Sequence, residues 1–214
     1  MRHRHLLSLA TVTSTALLLL IVRRNYFRWG ATDQEISESL PGDDLLSSAN
    51  LIATRAVSIH NTSEHVWPWI AQLGQGRGGL YSYDMLENLV GCDMHSADRI
   101  LPQYQFIEVG DDFRLHPQVS LKVALLDPGN ALVVQGAVPM GTAAPQYDFT
   151  WAFVLNEGDG STRLVIRERY RYSRWWAPFL VEPVEAVSFV MTRKMMRGIK
   201  GRAERALSQD KALT

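Results

Sequence analysis

Cysteine is nearly absent: Cys92 is the only one in 214 residues, which excludes an intramolecular disulfide and any multi-cysteine metal site. A surplus of either charge is absent too. Lys+Arg and Asp+Glu both number 22, so there is no overall basic field to draw nucleic acid, and none is expected as a partner. The glycine-rich stretch 74–79 (GQGRGG) lacks the Lys-Ser/Thr and the strand–loop–helix setting of a phosphate cradle. Asp84, Glu87, Cys92, His95 and Asp98 match no zinc spacing, so no metal is assigned, and Cys92 with His95 lacks a third orienting group for nucleophilic chemistry. Long apolar runs are also missing, with one exception.

The exception is residues 6–22 (LLSLATVTSTALLLLIV), bracketed by Arg2 and Arg4 before and by Arg23, Arg24 and Arg28 after. As a helix it reaches roughly 25 Å, the lower limit for crossing a bilayer core. Tyr26, Phe27 and Trp29 follow where interfacial aromatics belong. A cleaved signal peptide, the rival reading, needs small residues at −3 and −1, and Leu20-Ile21-Val22-Arg23-Arg24 offers none. The pattern predicts a single-pass membrane anchor over residues 1–29. The basic flanks are close to balanced and lean to a cytoplasmic domain.

The remainder divides into a linker or strap at 30–50, broken by Pro41-Gly42, a domain at 51–208 and a tail at 209–214. Residues 51–60 alternate as a strand, with Ala53, Val57 and Ile59 on one face. Asn61-Thr62-Ser63 then offers N-caps to a short helix (EHVWPWIAQL), and 83–90 (YDMLENLV) predicts a second. Strands are expected at 105–109, 112–116, 119–126, 131–138, 148–156 and 162–172, the last two joined by the hairpin signal Glu157-Gly158-Asp159-Gly160. A long helix closes the chain at about 179–208, where Val184, Val187, Met191, Met195, Ile199, Ala203 and Ala206 make an apolar stripe. That stripe needs a curved sheet to cover it. The expected class is α+β: a curved antiparallel sheet of six to seven strands around a long C-terminal helix, with two short helices after the first strand.

This order of elements resembles the helix-grip fold of the START/Bet v 1-like (SRPBCC, polyketide cyclase-like) superfamily. The opening strand with EHVWPWIAQLGQGRGG, and the closing DFTWAFVL…TRLVIRERY hairpin with its terminal helix, carry the resemblance over roughly 51–208. It implies a cavity between sheet and helix. Many members hold hydrophobic ligands there, and some act as cyclases, dehydratases or hydroxylase components.

Strand 162–172 is the most telling segment. Arg163, Arg167, Arg169 and Arg171 share one face, which is expected to be wet, leaving Glu168 on the inner side with Leu164, Ile166 and Tyr170. Buried there, Glu168 is either a structural carboxylate held by Tyr170 or Arg55, or a polar anchor or general acid/base inside an apolar cavity. Trp151, Glu168, Tyr170, Met191 and Met195 are the candidate ligand-binding residues, and Arg77, Asp84 and Arg99 the candidate rim of a lid formed by 74–99. Trp175-Trp176 is read as packing or as a membrane contact. The expected function is a membrane-anchored module binding a hydrophobic small molecule or lipid, with no cofactor. The alternative is a cyclase- or dehydratase-like enzyme using Glu168 and Tyr170.

Overall fold

The computed structural model describes residues 23–137 and 147–213. The expected anchor at 6–22 lies outside the described residues. Among those described, no helix is long and apolar enough to cross a membrane.

Six strands form one antiparallel sheet: β1 Leu51–Ile59, β2 Asp112–His116, β3 Val119–Asp127, β4 Ala131–Ala137, β5 Tyr147–Gly158 and β6 Ser161–Tyr172. The order across it is β1-β6-β5-β4-β3-β2, so five strands form a meander and the first pairs with the last. The hairpin between β5 and β6 is set by Asp159 and Gly160, both at positive φ (50° and 68°). That pair makes the type I′ turn whose twist matches the flanking strands, and the two strands then pair along their whole length.

Among the elements described in full, the helices that accompany the sheet are α1 Asp33–Ser37, α2 Ser63–Ala71, α3 Asp84–Leu89 and α4 Pro178–Leu213; residues 23–27 are helical as well. Helix α4 lies across the inner face of the sheet, against β1 and α2. The core between them includes Ile59, Trp69, Phe149, Trp151, Phe153, Leu164, Ile166, Met195 and Ile199. This is the helix-grip arrangement expected from the sequence.

Residues 105–109 are not a strand. Pro102–Tyr104 forms a 3-10 turn, the Gln105 side chain donates back to the Pro68 and Leu101 carbonyls, and Gly110 N–H bonds to Val123 O. The chain is turning there before it reaches the sheet edge, so the sheet has six strands.

Of the arginine face of β6 only Arg171, paired with Asp148 at 2.6 Å, is exposed; the rest is not wet. Residues 30–50 cross it as a strap. Arg167, 3 % exposed, donates to Thr54 Oγ1, to the Glu35, Ile36 and Glu38 carbonyls and to Asp43. Arg169 reaches Asp43 and the Leu46 and Ser47 carbonyls, and Arg163 pairs with Glu35 at 2.7 Å. Burying several guanidiniums is tolerable because strap carbonyls and two carboxylates meet their N–H groups.

Tyr26, Phe27 and Trp29 are not interfacial aromatics. Phe27 is a core residue, and the other two pack against the same core. Trp29 O accepts from Ala56 N–H at 3.0 Å. Gly30 follows at φ +72°, where a Cβ would stand 2.2 Å from Ala56 O, so only glycine fits that approach.

Candidate functional site

Alternation along β1 and β6 places Arg55, Glu168 and Tyr170 on the inner face, with Arg55 paired opposite Ile166 and Ala53 opposite Glu168. Helix α4 then brings Glu185 down onto them. Arg55 Nη1 donates to Glu168 Oε1 at 3.0 Å, Nη2 to Glu185 Oε1, and Nε to Tyr26 O at 2.9 Å. Ser188 Oγ and Thr192 Oγ1, one and two turns along α4 from Glu185, donate to Glu168 at 3.3 and 3.0 Å. Glu168 is 1 % exposed and Glu185 fully buried.

Proton counting settles the charge state. Tyr170 Oη lies 2.8 Å from Glu168 Oε2 and 2.6 Å from Glu185 Oε2, yet a phenol has a single hydrogen to donate. Both contacts are hydrogen bonds only if one carboxyl carries a proton and donates it to Oη. Burial, then the neighbouring Glu168 charge, pushes Glu185 up to about 8. Burial also raises Glu168, but the Arg55 guanidinium and its hydrogen bonds outweigh that and hold it below the ordinary carboxylate range. The cluster is therefore a guanidinium, a carboxylate and a carboxylic acid, neutral overall at pH 7. Tyr170 is raised well above its ordinary value by burial and by the two carboxyl groups.

Around this cluster the inner face is aromatic. Tyr147 and Phe149 rings lie 5.5 and 4.9 Å from that of Tyr170, and Trp151 lies 4.8 Å from Phe153 and 6.0 Å from Phe113. Trp151 is buried, and its Nε1–H has no hydrogen-bond partner among the described residues; the Tyr172 hydroxyl is likewise buried and unpartnered. An unmatched buried N–H costs roughly 1–3 kcal/mol. The arrangement offers a donor without a partner among the described residues in an apolar wall, with the Glu168 carboxylate at the directly opposed position of β6 and the Glu185 carboxylic acid beyond it.

The structure brings Trp151, Glu168, Tyr170 and Met195 into one core, with Met191 half-buried at its margin. The four clefts described, from about 330 to about 690 Å³, are lined by none of these five residues. The 690 Å³ cleft lies on the opposite face of the sheet, between strap residues such as Glu35 and Leu40 and the β4–β5 surface. In this conformation the sequence-predicted pocket residues pack on one another.

The predicted rim residues do not converge on that interior. Arg77 donates to the Ala71 and Tyr104 carbonyls and stacks on Tyr104, its charge disfavoured by burial. Asp84 accepts from the Ser96 N–H and hydroxyl, and Arg99 is exposed. Nor is 74–79 a loose lid. Gly74 and Gly79 pair as a bridge, and a Cβ on Gly79 would lie 2.7 Å from Ser96 Cα, so these glycines serve close backbone packing. Buried Gln72 ties the region together, donating to Tyr81 Oη and Arg99 O and accepting from Leu101 N–H.

Sequence reasoning missed Glu185, Ser188 and Thr192. Their spacing of three and then four residues is itself a helical stripe, but a polar one, and periodicity alone marks the apolar stripe through Val184, Val187 and Met191 as the buried face. Val187 is 62 % exposed, so that half of the helix is turned the other way.

No family model matches the chain, and no curated protein matches it. Solved structures do. A Mesorhizobium loti protein, MLL2253, is 13 % identical at a TM-score of 0.43, covering 71 % of this chain and 97 % of its own. The Zhui aromatase/cyclase from Streptomyces sp. R1128 is 14 % identical at 0.44, with 73 % and 95 % covered. The di-domain ARO/CYC StfQ of the steffimycin biosynthetic pathway is 11 % identical at 0.46, with 78 % and 55 % covered. Likenesses at this level transfer no residue role to this chain.

Proposed function

We propose that this protein holds a small hydrophobic molecule, or the apolar part of a lipid, between the inner face of the sheet and α4, with residues 6–22 tethering it to a membrane. The observation that carries the reading is Trp151 Nε1–H, a buried donor without an acceptor among the described residues, in an otherwise aromatic wall. Ligand sites are mostly apolar with a few fixed polar contacts, and an acceptor on the ligand would relieve this orphan. Met195 and half-buried Met191 are the side chains best able to move aside, being unbranched and flexible.

A second reading, a cyclase- or dehydratase-like enzyme, is favoured by one feature: Glu185 is held neutral beside ionised Glu168, and environments that split two carboxyl groups this way create an acid and a base. Native mass spectrometry of the detergent-extracted chain tests the binding reading through a co-purified molecule. Met195→Trp should abolish that species while the far-UV spectrum stays unchanged. A wild-type protein that carries no ligand and takes up no apolar fluorophore, or a Met195→Trp protein that takes it up equally, refutes the interior site. Retained binding with a lost reaction in Glu185→Gln would favour the enzyme.

A further inference from the structure

The outer side of α4 carries an apolar stripe that the described residues leave uncovered. Trp176, Phe179, Pro183, Val187 and Val190 recur at intervals of three and four from the lead-in to the helix onward, and all are exposed, Phe179 at 79 %. Amphipathicity is partly inverted here: Glu185, Ser188 and Thr192 face the sheet beside buried Val181, while Phe179, Val187 and Val190 face out. The next two turns of the stripe are Lys194 and Arg197. Lys194 Nζ stands 5.5 Å over the Tyr83 ring, which brings α3 alongside, and α3 presents Met85 and Leu89 outward. Exposed apolar surface of this extent marks an interaction site.

What covers it follows from where the chain enters. Arg23 pairs with Glu182 at 3.1 Å, one turn from Phe179, so residues 1–22 join the domain at this end of the stripe. Seventeen of those residues, 6–22, are uncharged. Arg24, next in the chain, belongs to the same end, and Lys194 and Arg197 lie at the other, where Arg197 stands over the Trp29 ring. A second copy packed face to face about a two-fold axis would set basic end against basic end. An anionic lipid leaflet instead neutralises both ends, while Trp176 and Phe179 suit its interfacial zone.

We propose that this stripe, with the outward side of α3, is a docking face for an anionic lipid leaflet, and that it fixes the orientation of the domain on the membrane. It is independent of any ligand in the interior. The other basic residues of α4 contribute less, since they are engaged within the fold: Arg193 stacks on Trp29, Arg202 donates to Ala97 O and lies over Tyr81, and Lys200 donates to Ser58 O; Arg197 shares the Trp29 ring but is exposed.

The test uses the full chain reconstituted in phosphatidylcholine vesicles with and without phosphatidylglycerol, with bromine on the lipid acyl chains. Tryptophan emission should be quenched, more with phosphatidylglycerol than without, and Trp175→Phe/Trp176→Phe should remove most of that quenching. Phe179→Asp/Val187→Asp alters only exposed side chains and should also remove it, with the far-UV spectrum intact. Equal quenching in wild type and the tryptophan double variant overturns the proposal, because a tether alone leaves both rings in water. So does quenching indifferent to phosphatidylglycerol. Absence of quenching together with a detergent-stable dimer that Val187→Asp dissociates would assign the face to a second copy and overturn it as well.

Discussion

Glu185 shows how one buried carboxyl sets a pH dependence. Its folded pKa of about 8 lies above the ordinary value of 4.5, so the folded state binds a proton that the unfolded chain has released. The stability it contributes is fully present below about 4.5 and is lost as pH rises through about 8, at no more than about 1.4 kcal/mol per pH unit. Glu168 is shifted the other way, so its contribution is present above the ordinary carboxylate range and is lost on acidification. Chemical denaturation from pH 5 to 9 should therefore show stability falling toward alkaline pH, and Glu185→Gln, which mimics the neutral acid, should flatten that fall; an unchanged slope in the variant would place the proton elsewhere. Arg55→Leu should do far more damage. It leaves the Glu168 charge without its cation, and breaking a buried pair from one side costs ~3–5 kcal/mol, to be read as a lowered urea midpoint. At this scale half the cluster was legible. Glu168 among Leu164, Ile166 and Tyr170 announced itself by alternation, and Arg55 fell on the same inner face of β1. Glu185 did not, because nothing in a local window distinguishes a carboxylate bound for the core from one bound for water.

Elements were legible where local signals and burial agreed, and illegible where a tertiary partner decided. The β5–β6 hairpin could be read because Asp159-Gly160 favours a turn matched to strand twist and the flanking residues alternate. Residues 105–109 are a short, largely apolar run ended by Gly110-Asp111 and so look like a strand, but the 3-10 turn before them and the Gly110–Val123 bond after them divert the chain. The wet face assigned to β6 failed for a related reason. Whether an arginine face is exposed depends on acceptors brought from elsewhere, and the strap supplies them from 30–50, including the first-turn acidic residue Glu35 of α1. Asp43 is the strap residue shared by two of these arginines, Arg167 at 2.5 Å and Arg169 at 3.1 Å. Asp43→Ala should lower stability by ~3 kcal/mol, since two poorly hydrated guanidiniums lose their carboxylate. The variant should also expose Arg167 to modification by phenylglyoxal, which the wild type resists; equal stability and equal reactivity would mean that the strap carbonyls suffice.

On the scale of the whole molecule, the folded domain begins earlier than composition suggests. The aromatic cluster after the basic residues has the look of a membrane girdle, but Phe27 is buried in the core, Tyr26 lends its carbonyl to Arg55, and Trp29 bonds to β1 through Ala56. Arg193 and Arg197 of α4 both lie over the Trp29 ring, at 5.3 and 5.6 Å, so the segment also clasps the long helix. Two truncations should therefore behave differently. Removal of residues 1–22 takes away the uncharged run and leaves every one of these contacts. That protein should fold with nearly full stability and, if 6–22 is the tether, should be released from membranes by salt, which screens the remaining contact of the basic residues with anionic lipid. Removal of residues 1–31 deletes Phe27 and the Tyr26 acceptor of a buried guanidinium. Loss of a buried phenylalanine side chain alone costs about 3–5 kcal/mol, so this protein should melt well below the shorter truncation or fail to accumulate. Equal melting temperatures for the two would mean that 23–31 merely rests on the domain. A 1–22 deletion that stays in the membrane pellet at high salt would show that the apolar face of α4 and α3 holds the bilayer without the tether.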